Sequence, residues 1–514
     1  MHRHKTLISL SILFLASLLL LFPLHSQQKP TSLLILNAQI ADGTGAPLYQ
    51  ANVRIAAGHI IGIGALRPEK NEPTLDAKGL VLAPGFIDIH NHSEEGLASD
   101  PLAETQIAQG ITSLVVGADG ESPWPLIQWI RERQQNLPAL NIATFAGHAT
   151  IREQAMGKDF KRIAKPTEIF QMQQFMGLAM NQQALGLSSG LEYEVGSYSN
   201  TDELVALARV AAERGGIYMT HIRDEADKSF DALNEEIAIA ERAHIPVEHS
   251  HIKLGTVSVW GKASEYIKII EAARSRGVDF LADCYPYDAW NSNLKVLVPD
   301  KQYENPKSVE KALADVGGAS HVTIVGFAPN KSYLGHTIAD LATANHLSPV
   351  EMFIRLIREG DAANTEASII GQSIIESDIK AFYQQPWVMV ASDGGIGSDH
   401  PRGAGTFPRV LGRFVREEHW LTLPEAIRKM TSLPAQRLGW KARGILREGM
   451  FADLVLFNPD TVIDNSTYAS PTALPTGIEK VFVNGTLVWD SGKSTGARPG
   501  AFLGLHGIPQ QLLN

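Results

Sequence analysis

The sequence predicts an α/β protein in which a (β/α)8 barrel is joined to a small β domain assembled from both chain ends. The chain has 514 residues, enough for a large domain and a smaller one. Its middle part, residues 83–444, alternates helical and strand-like segments, as parallel strands with crossover helices do. Residues 27–82 and 445–514 instead carry short apolar runs separated by turns, which is typical of a small β module.

Residues 1–26 differ in kind from the rest of the chain. A basic start precedes an uncharged apolar run from Leu7 to Leu24, and the small residue Ser26 follows. This layout predicts a secretory signal peptide, and therefore an exported protein of the periplasm or cell exterior. No stable membrane insertion is expected after cleavage. A retained membrane anchor is the alternative, because the apolar run is long enough for one.

The composition of the chain is that of an ordinary globular protein. Hydrophobic residues make up 44% of the chain and charged residues 19%, which excludes fibrous and disordered classes. The formal net charge of −10 argues against nucleic acid as a partner, because phosphate binding needs a basic face. Cys284 is the only cysteine, so no intramolecular disulfide can form, and we expect it to be a packed core residue.

The predicted strands of the β domain are short. Apolar runs lie at residues 33–36, 53–55 and 60–64, and again at residues 452–457, 481–483 and 487–489. Asn484-Gly485 stands between the last two runs and is a strong signal for a hairpin turn. Because both ends have the same texture, we expect them to form one module.

The alternation of helix and strand is clearest in the second half of the predicted barrel. Helical periodicity over residues 201–214 leads into a strand at 217–221. The same rhythm recurs twice, with helices at residues 230–243 and 264–276 and strands at 245–251 and 278–283. The active site of such a barrel lies at the C-terminal ends of its strands, so residues that end strands are candidates for function.

The first barrel strand lies within residues 80–92 and ends in His90-Asn91-His92. Residues i and i+2 of an extended strand point the same way, so His90 and His92 project together from one strand end. Two imidazoles on one side of a rigid strand form half of a site for a divalent metal ion.

Four more residues of metal-ligand type end other predicted strands: Asp119, His221, His251 and Asp393. Barrel geometry would gather all six around one mouth. Four imidazoles and two carboxylates suit zinc, as one ion or as a pair bridged by a carboxylate. His249 shares a strand face with His251, so spacing alone leaves the choice between these two open.

This set of residues predicts a hydrolytic reaction. A metal-bound water is acidified towards neutral pH and becomes a nucleophile. Asp393 is placed to accept its proton and to pass it to a leaving amine. We therefore expect hydrolysis of an amide or a related bond.

Motifs from residue 84 to residue 412 carry a family resemblance. In chain order they are Pro84-Gly85-Phe86-Ile87-Asp88 with His90 and His92; Gln109-Gly110-Ile111-Thr112; Gly147-His148; Gly186-Leu187-Ser188-Ser189-Gly190-Leu191-Glu192-Tyr193; Thr220-His221-Ile222-Arg223; Ser250-His251-Ile252-Lys253; Asp283 with Tyr285-Pro286-Tyr287; Ser392-Asp393-Gly394; and Pro401-Arg402 with Gly405 to Gly412. In this order they resemble the metal-dependent amidohydrolase superfamily and, within it, the N-acyl-D-amino-acid deacylase (D-aminoacylase) family.

The resemblance implies a small-molecule substrate, an N-acyl-D-amino acid, hydrolysed by a zinc-dependent barrel. It implies metal ligation by His90, His92, His221, His251 and Asp393, with Asp393 also the catalytic acid and base. Lys253, Tyr285 and Arg402 are implied to hold the substrate carboxylate, a role that suits the planar fork of Arg. His148 is either a donor in the substrate pocket or a structural histidine.

Asp119 departs from the pattern of the family. It occupies the position at which the best-known deacylases have a metal-bridging cysteine. A carboxylate can also bridge two ions, although it is a harder ligand than a thiolate. Glu192 is the second candidate for this bridging role, and His400 is expected only to shape its loop.

Two other functions remain open from the sequence. The same fold acts on cyclic amides and dipeptides in relatives that resemble hydantoinase, where a carboxylated lysine at a strand end usually bridges the metals. No lysine ends a strand at that position here. A non-catalytic barrel is the other alternative, but such a protein would be expected to lose metal ligands that this chain retains.

Overall fold

The structure is a computed structural model that describes residues 32–510, so the predicted signal peptide lies outside the described residues. The β-strands are, in chain order, β1 (Leu33–Ile40), β2 (Tyr49–Ala56), β3 (His59–Gly64), β4 (Thr74–Asp76), β5 (Val81–Pro84), β6 (Phe86–Asp88), β7 (Ile111–Val116), β8 (Asn141–Thr144), β9 (Ala146–Gly147), β10 (Gly186–Gly190), β11 (Ile217–His221), β12 (Val247–His249), β13 (Phe280–Cys284), β14 (Trp290–Asn293), β15 (Val322–Gly326), β16 (Ser368–Gly371), β17 (Val388–Val390), β18 (Leu454–Phe457), β19 (Ile478–Val483), β20 (Thr486–Asp490) and β21 (Lys493–Ser494).

The α-helices follow the same chain order. They are α1 (Gly96–Ser99), α2 (Glu104–Ile107), α3 (Leu126–Gln135), α4 (His148–Met156), α5 (Pro166–Asn181), α6 (Glu194–Ser197), α7 (Thr201–Ala212), α8 (Ser229–Ala243), α9 (Ala263–Ser275), α10 (Pro306–Asp315), α11 (Ile338–Ala344), α12 (Pro349–Ala362), α13 (Glu376–Tyr383), α14 (Arg402–Arg409), α15 (Leu423–Met430) and α16 (Ser432–Arg437). A π-helix, Val410–Glu417, continues α14. None of the helices within residues 32–510 has the length and hydropathy that a membrane crossing requires.

Within the described residues, eight strand positions form a closed parallel barrel. Its order is β6, β7, β8 with β9, β10, β11, β12, β13 and β17, and every neighbouring pair is parallel. A parallel bridge between Asn91 and Gly394 joins the last position to the first. The predicted (β/α)8 barrel is therefore confirmed.

Asp88 anchors this closure from inside the protein. Its fully buried carboxylate accepts hydrogen bonds from the Ser392 backbone N–H (2.9 Å), from the Ser392 hydroxyl (2.6 Å) and from Asn91 Nδ2 (2.9 Å). Two backbone hydrogen bonds run beside it: Asp393 N–H donates to the His90 carbonyl (3.0 Å), and His92 N–H donates to the Gly394 carbonyl (2.7 Å). The closure therefore fixes the positions of the two strand ends that carry His90 and Asp393.

The barrel elements form where the sequence patterns predict them. All six residues of β7 are buried, as expected for a parallel strand covered on both faces. Helices α7, α8 and α9 agree with the predicted helices to within two residues at each end. Asn200 is the N-cap of α7, and its side chain accepts a hydrogen bond from the Glu203 N–H at 3.0 Å.

The small β domain combines strands from both ends of the chain. Its sheet has the order β21-β20-β19-β18-β5-β1-β2-β3, and β4 pairs with β1. The two ends meet where β5 pairs antiparallel with β18. Positive φ angles at Asn484 (48°) and Gly485 (78°) confirm the hairpin turn between β19 and β20. Strand β5 reaches Pro84, and the domain limits at residues 82 and 444 stay predictions.

An insertion between β13 and β17 is a feature that the sequence patterns did not separate from the barrel. It contains an antiparallel sheet of order β14-β16-β15 and the helices α10, α11 and α12. These elements pack around a hydrophobic core of their own, which includes Val309, Ile324 and Phe353. The insertion therefore forms a compact unit that interrupts the alternation of barrel strands and helices.

Candidate metal centre

A cavity of about 1050 Å³ lies at the C-terminal ends of the barrel strands. Its floor includes His92, His221, His251, Asp119 and Asp393, each of which lies at or just beyond the end of a strand. The insertion also contributes lining residues, which include Trp290, Leu297, Lys301 and Tyr303. Five of the six predicted metal ligands therefore line a partly open cavity large enough for a small molecule.

Four of the predicted ligands form one cluster at the bottom of this cavity: His90, His92, Asp119 and Asp393. Asp393 Oδ1 lies 3.4 Å from His90 Nε2 and 3.2 Å from His92 Nε2. Asp119 Oδ2 lies 3.5 Å from each of the same two nitrogens. Two imidazoles and two carboxylates thus present ligand atoms to one common point.

Asp119 also belongs to a second cluster, with His221 and His251. His221 Nδ1 is 3.0 Å from His251 Nε2, and His251 Nε2 is 3.6 Å from Asp119 Oδ2. A carboxylate shared by two groups of imidazoles is the arrangement that a bridged pair of ions requires. The structure therefore brings all six predicted ligands together.

The backbone is strained at three of these residues. Asp119, His251 and Asp393 have φ angles of 53°, 36° and 47°, in the left-handed region that non-glycine residues rarely adopt. Such conformations cluster at functional sites, because the surrounding structure must hold them there. Gly120 (φ 86°) follows Asp119, and a Cβ at Gly120 would lie 2.7 Å from the Gly190 nitrogen. The turn after β7 thus depends on glycine.

Two buried ligand atoms in the first cluster have no hydrogen-bond partner, His90 Nε2 and Asp119 Oδ1. An unpaired buried polar atom is costly unless something else satisfies it. The other nitrogen of His90, Nδ1, lies 3.4 Å from Asp283 Oδ2, the usual outer contact of a metal-binding histidine. The donor set and its unpaired atoms therefore fit a divalent metal ion such as zinc.

The charged groups of the site shift one another's pKa values. Burial raises the pKa of Asp119, but nearby imidazoles such as His90 outweigh this and hold that pKa well below its ordinary value. For Asp393, burial is likewise outweighed by Arg402 and His90, so its pKa is lowered and the carboxylate is ionised at neutral pH. Burial opposes, and the two carboxylates favour, the charged form of His92, whose pKa rises to about 10.

The three residues predicted to hold a substrate carboxylate lie next to the metal-ligand clusters. Lys253 and Arg402 line the cavity. Arg402 Nη1 bonds Asp393 Oδ2 at 2.6 Å, and Lys253 Nζ bonds Glu225 at 2.7 Å. The ring of Tyr285 stacks under the Arg402 guanidinium, with 4.7 Å from Arg402 Cζ to the ring centroid. Two cations thus stand beside the predicted ligands.

Other histidines considered from the sequence lie away from the clusters. His148 is fully buried and its Nε2 contacts Glu203 at 2.9 Å, so the structure does not bring it to the cavity. His249 Nδ1 contacts the buried Glu236 at 2.5 Å instead of facing the ligands, which removes the ambiguity left by spacing. His400 bonds within its own loop through the Arg402 N–H, and Cys284 is packed in the core.

Sequence reasoning gave no role to two carboxylates that contact the ligands. Asp283 lies in β13, bonds the His251 N–H at 2.8 Å and contacts His90. Glu225 lies 3.0 Å from His251 Nδ1. Asp283 carries the same strand-end signal as the ligands, but Glu225 lies in the loop four residues beyond His221, where a search of strand ends does not reach.

A family model described as the amidohydrolase family matches residues 74–489. The chain therefore belongs to the amidohydrolase family, as its motifs predict. Three relatives at 31–33% identity are named as deacylases or aminoacylases. It is 33% identical to N-acyl-D-glutamate deacylase of Alcaligenes xylosoxydans xylosoxydans, over 93% of this chain and 97% of that protein. It is 31% identical to D-aminoacylase of the same organism, over 93% and 99% of the two chains.

A solved structure of a deacylase has the same fold. The N-acyl-D-glutamate deacylase of Bordetella bronchiseptica, in complex with zinc and a phosphonate inhibitor that mimics the tetrahedral intermediate, aligns with a TM-score of 0.83. The alignment covers 92% of this chain and 99% of that one, at 33% identity. The likeness therefore covers the barrel and the β domain together.

Asp119→Ala tests whether Asp119, which stands where the family has a bridging cysteine, is a metal ligand. Because Asp119 contacts both clusters, its loss should lower bound zinc and hydrolytic activity together. Zinc content is measured by mass spectrometry of purified protein, with Glu121→Ala, an exposed carboxylate two residues further on, as the control. Full zinc occupancy with near-normal turnover in Asp119→Ala would exclude the ligand role and move attention to Glu192.

Proposed function

We propose that the protein hydrolyses the amide bond of N-acyl-D-amino acids, giving a carboxylic acid and a D-amino acid. The observation that supports this best is the convergence of His90, His92, Asp119 and Asp393 on one point of a cavity that also holds two cations. A metal cluster supplies the means to hydrolyse an amide, and the cations supply a place for a carboxylate. The relatives at 31–33% identity are named for this reaction.

His90, His92, Asp119 and Asp393 would hold one zinc ion, and Asp119 with His221 and His251 would hold a second. Zinc bound there would polarise the substrate carbonyl and lower the pKa of a water molecule towards neutrality. Residues of the insertion line the same cavity as the metal ligands, so they are placed to contact a bound substrate.

Asp393 acts as the general base and then as the general acid in this proposal. Its low pKa keeps the carboxylate ionised at neutral pH, ready to accept a proton. The hydrogen bond from the Asp393 N–H to the His90 carbonyl and the Arg402 contact hold the side chain in place. The same carboxyl group then donates the proton to the departing amine.

Arg402, Lys253 and Tyr285 bind the carboxylate of the substrate in this proposal. Arg402 offers a planar fork, and Lys253 a point charge, within reach of the same part of the cavity. The hydroxyl of Tyr285 and the Nε of Arg402 are buried without a hydrogen-bond partner. Both atoms therefore have an unused hydrogen-bond donor.

The proposed activity is tested by a hydrolysis screen with zinc-loaded protein. N-acetyl-D-amino acids with acidic, neutral and apolar side chains are compared with their L-enantiomers, and dihydrouracil serves as a cyclic amide. The proposal expects release of free amino acid from D-substrates. Hydrolysis of the cyclic amide alone, or of none of the compounds by zinc-loaded protein, would reject it.

Asp393→Asn should reduce kcat by about 100- to 10,000-fold, because an amide cannot exchange the proton. Steady-state kinetics and zinc content are measured on the same preparation, so that lost metal is distinguished from lost proton transfer. Asp460→Asn, on the surface, is the charge-matched control. A kcat within tenfold of the wild type, with zinc retained, would remove Asp393 from the mechanism.

Arg402→Ala should raise KM for an N-acyl-D-amino acid roughly 10- to 150-fold, the equivalent of losing a charge-assisted hydrogen bond of about 1.5–3 kcal/mol. Since Arg402 also contacts Asp393, an N-acyl amine without a carboxylate is measured in parallel. A change that acts through Asp393 alters the kinetics of both substrates. Loss of the carboxylate contact raises KM only for the N-acyl-D-amino acid. Arg413→Ala is the control. Equal changes for both substrates would contradict the carboxylate role.

The protein is also proposed to be exported, on the basis of the basic and apolar layout of residues 1–26. A mature N-terminus near Gln27 is expected. N-terminal sequencing of protein recovered from the cell envelope checks this. An intact Met1 on membrane-bound material would indicate a retained anchor instead.

A further inference from the structure

Two partly buried carboxylates, both of which line the cavity, each contact one ring nitrogen of His221 or His251. Glu192 Oε2 lies 2.8 Å from His221 Nε2, and Glu225 Oε1 lies 3.0 Å from His251 Nδ1. The opposite nitrogens, His221 Nδ1 and His251 Nε2, face each other at 3.0 Å on the side of Asp119. Each ring thus has one nitrogen towards a glutamate and the other towards the neighbouring ring, on the side of Asp119.

A neutral imidazole carries its proton on one nitrogen and a lone pair on the other, and only the lone pair binds a metal ion. An ionised carboxylate can only accept a hydrogen bond. Contact with Glu192 therefore requires the proton on His221 Nε2 and leaves Nδ1 free. Contact with Glu225 requires the proton on His251 Nδ1 and leaves Nε2 free.

His251 faces two competing neighbours at the same nitrogen. Lys253 Nζ lies 2.8 Å from His251 Nδ1, and a charged lysine can only donate a hydrogen bond. Donation by Lys253 would require the lone pair on Nδ1 and the proton on Nε2, which faces the metal side. Glu225 also accepts a hydrogen bond from Lys253, at 2.7 Å. It is thus placed both to take the His251 proton and to occupy the competing donor.

We infer that Glu192 and Glu225 are positioning residues that select the ring tautomers with which His221 and His251 bind a metal ion beside Asp119. The inference rests on the proposed metal centre. In this inference each glutamate acts on the metal ion indirectly, by fixing the proton position on the histidine that it contacts. The competing role is direct ligation, since Glu192, His221 and Glu225 also place ligand atoms within 4.8 Å of one another.

Zinc affinity measured by competition with a chromophoric chelator separates these roles without any substrate. Glu192→Ala and Glu225→Ala should each weaken zinc binding at one site by about 10- to 100-fold, the usual effect of losing such an outer contact. Glu192→Gln should recover most of the affinity, because the amide oxygen still accepts the His221 N–H. A direct ligand would not be rescued, because an amide is a poor substitute for a carboxylate on zinc.

Removal of the competing donor provides the second arm of the experiment. In the Glu225→Ala background, Lys253→Met should restore zinc affinity, because Nδ1 of His251 no longer meets an obligatory donor. Glu95→Gln, a carboxylate that lines the same cavity, is the control for loss of charge and should bind zinc as the wild type does. Thermal unfolding in excess chelator checks that each variant is folded.

The outcomes distinguish the inference from the proposed function. Wild-type protein that binds no zinc would remove the metal centre and the inference with it. Wild-type binding with unchanged affinity in both alanine variants would overturn the inference and leave the proposed function standing. Glu192→Gln as weak as Glu192→Ala would assign Glu192 as a direct ligand, and no recovery by Lys253→Met in the Glu225→Ala background would assign Glu225 as one. Should an alanine variant fail to fold, the Glu192→Gln result alone decides between positioning and ligation.

Discussion

The pairing of the first and last barrel strands is the constraint on which the site depends. Asp88 accepts hydrogen bonds from Ser392, and the Asp393 N–H donates to the His90 carbonyl. The contacts that close the barrel therefore also bring His90 and Asp393 together. His90 and Asp393 are 303 positions apart in the sequence, yet both lie where the first and last barrel strands pair. The strain at Asp393 is held by the same contacts, because a left-handed aspartate persists only where its surroundings are fixed.

Further carboxylates and two cations contact the metal-ligand residues. Three of the histidines each contact a further carboxylate: Asp283 contacts His90, Glu192 contacts His221 and Glu225 contacts His251. Arg402 pairs with Asp393 and Lys253 with Glu225, so two of the carboxylates have a cationic partner. In the proposed function, the same two cations bind the carboxylate of the substrate.

Local patterns predicted the parts of the structure that follow from strand periodicity and strand order. The His-x-His spacing identified one strand end, and barrel geometry extended the search to Asp119, His221, His251 and Asp393. The insertion was missed because its strands and helices have the same local periodicity as barrel elements, and only its antiparallel pairing sets it apart. Glu225 was missed because a loop residue is brought to His251 by tertiary packing, and His148 was ambiguous because no local pattern distinguishes a pocket donor from a buried partner of Glu203.

Anomalous diffraction from crystals of zinc-incubated protein tests the central claim most directly, that the six strand-end residues form one metal centre. Data collected on both sides of the zinc absorption edge should show a peak among His90, His92, Asp119 and Asp393, with a second beside His221 and His251 when two ions bind. Absence of any peak within this cavity in zinc-saturated crystals, or a peak only elsewhere on the protein, would contradict the claim.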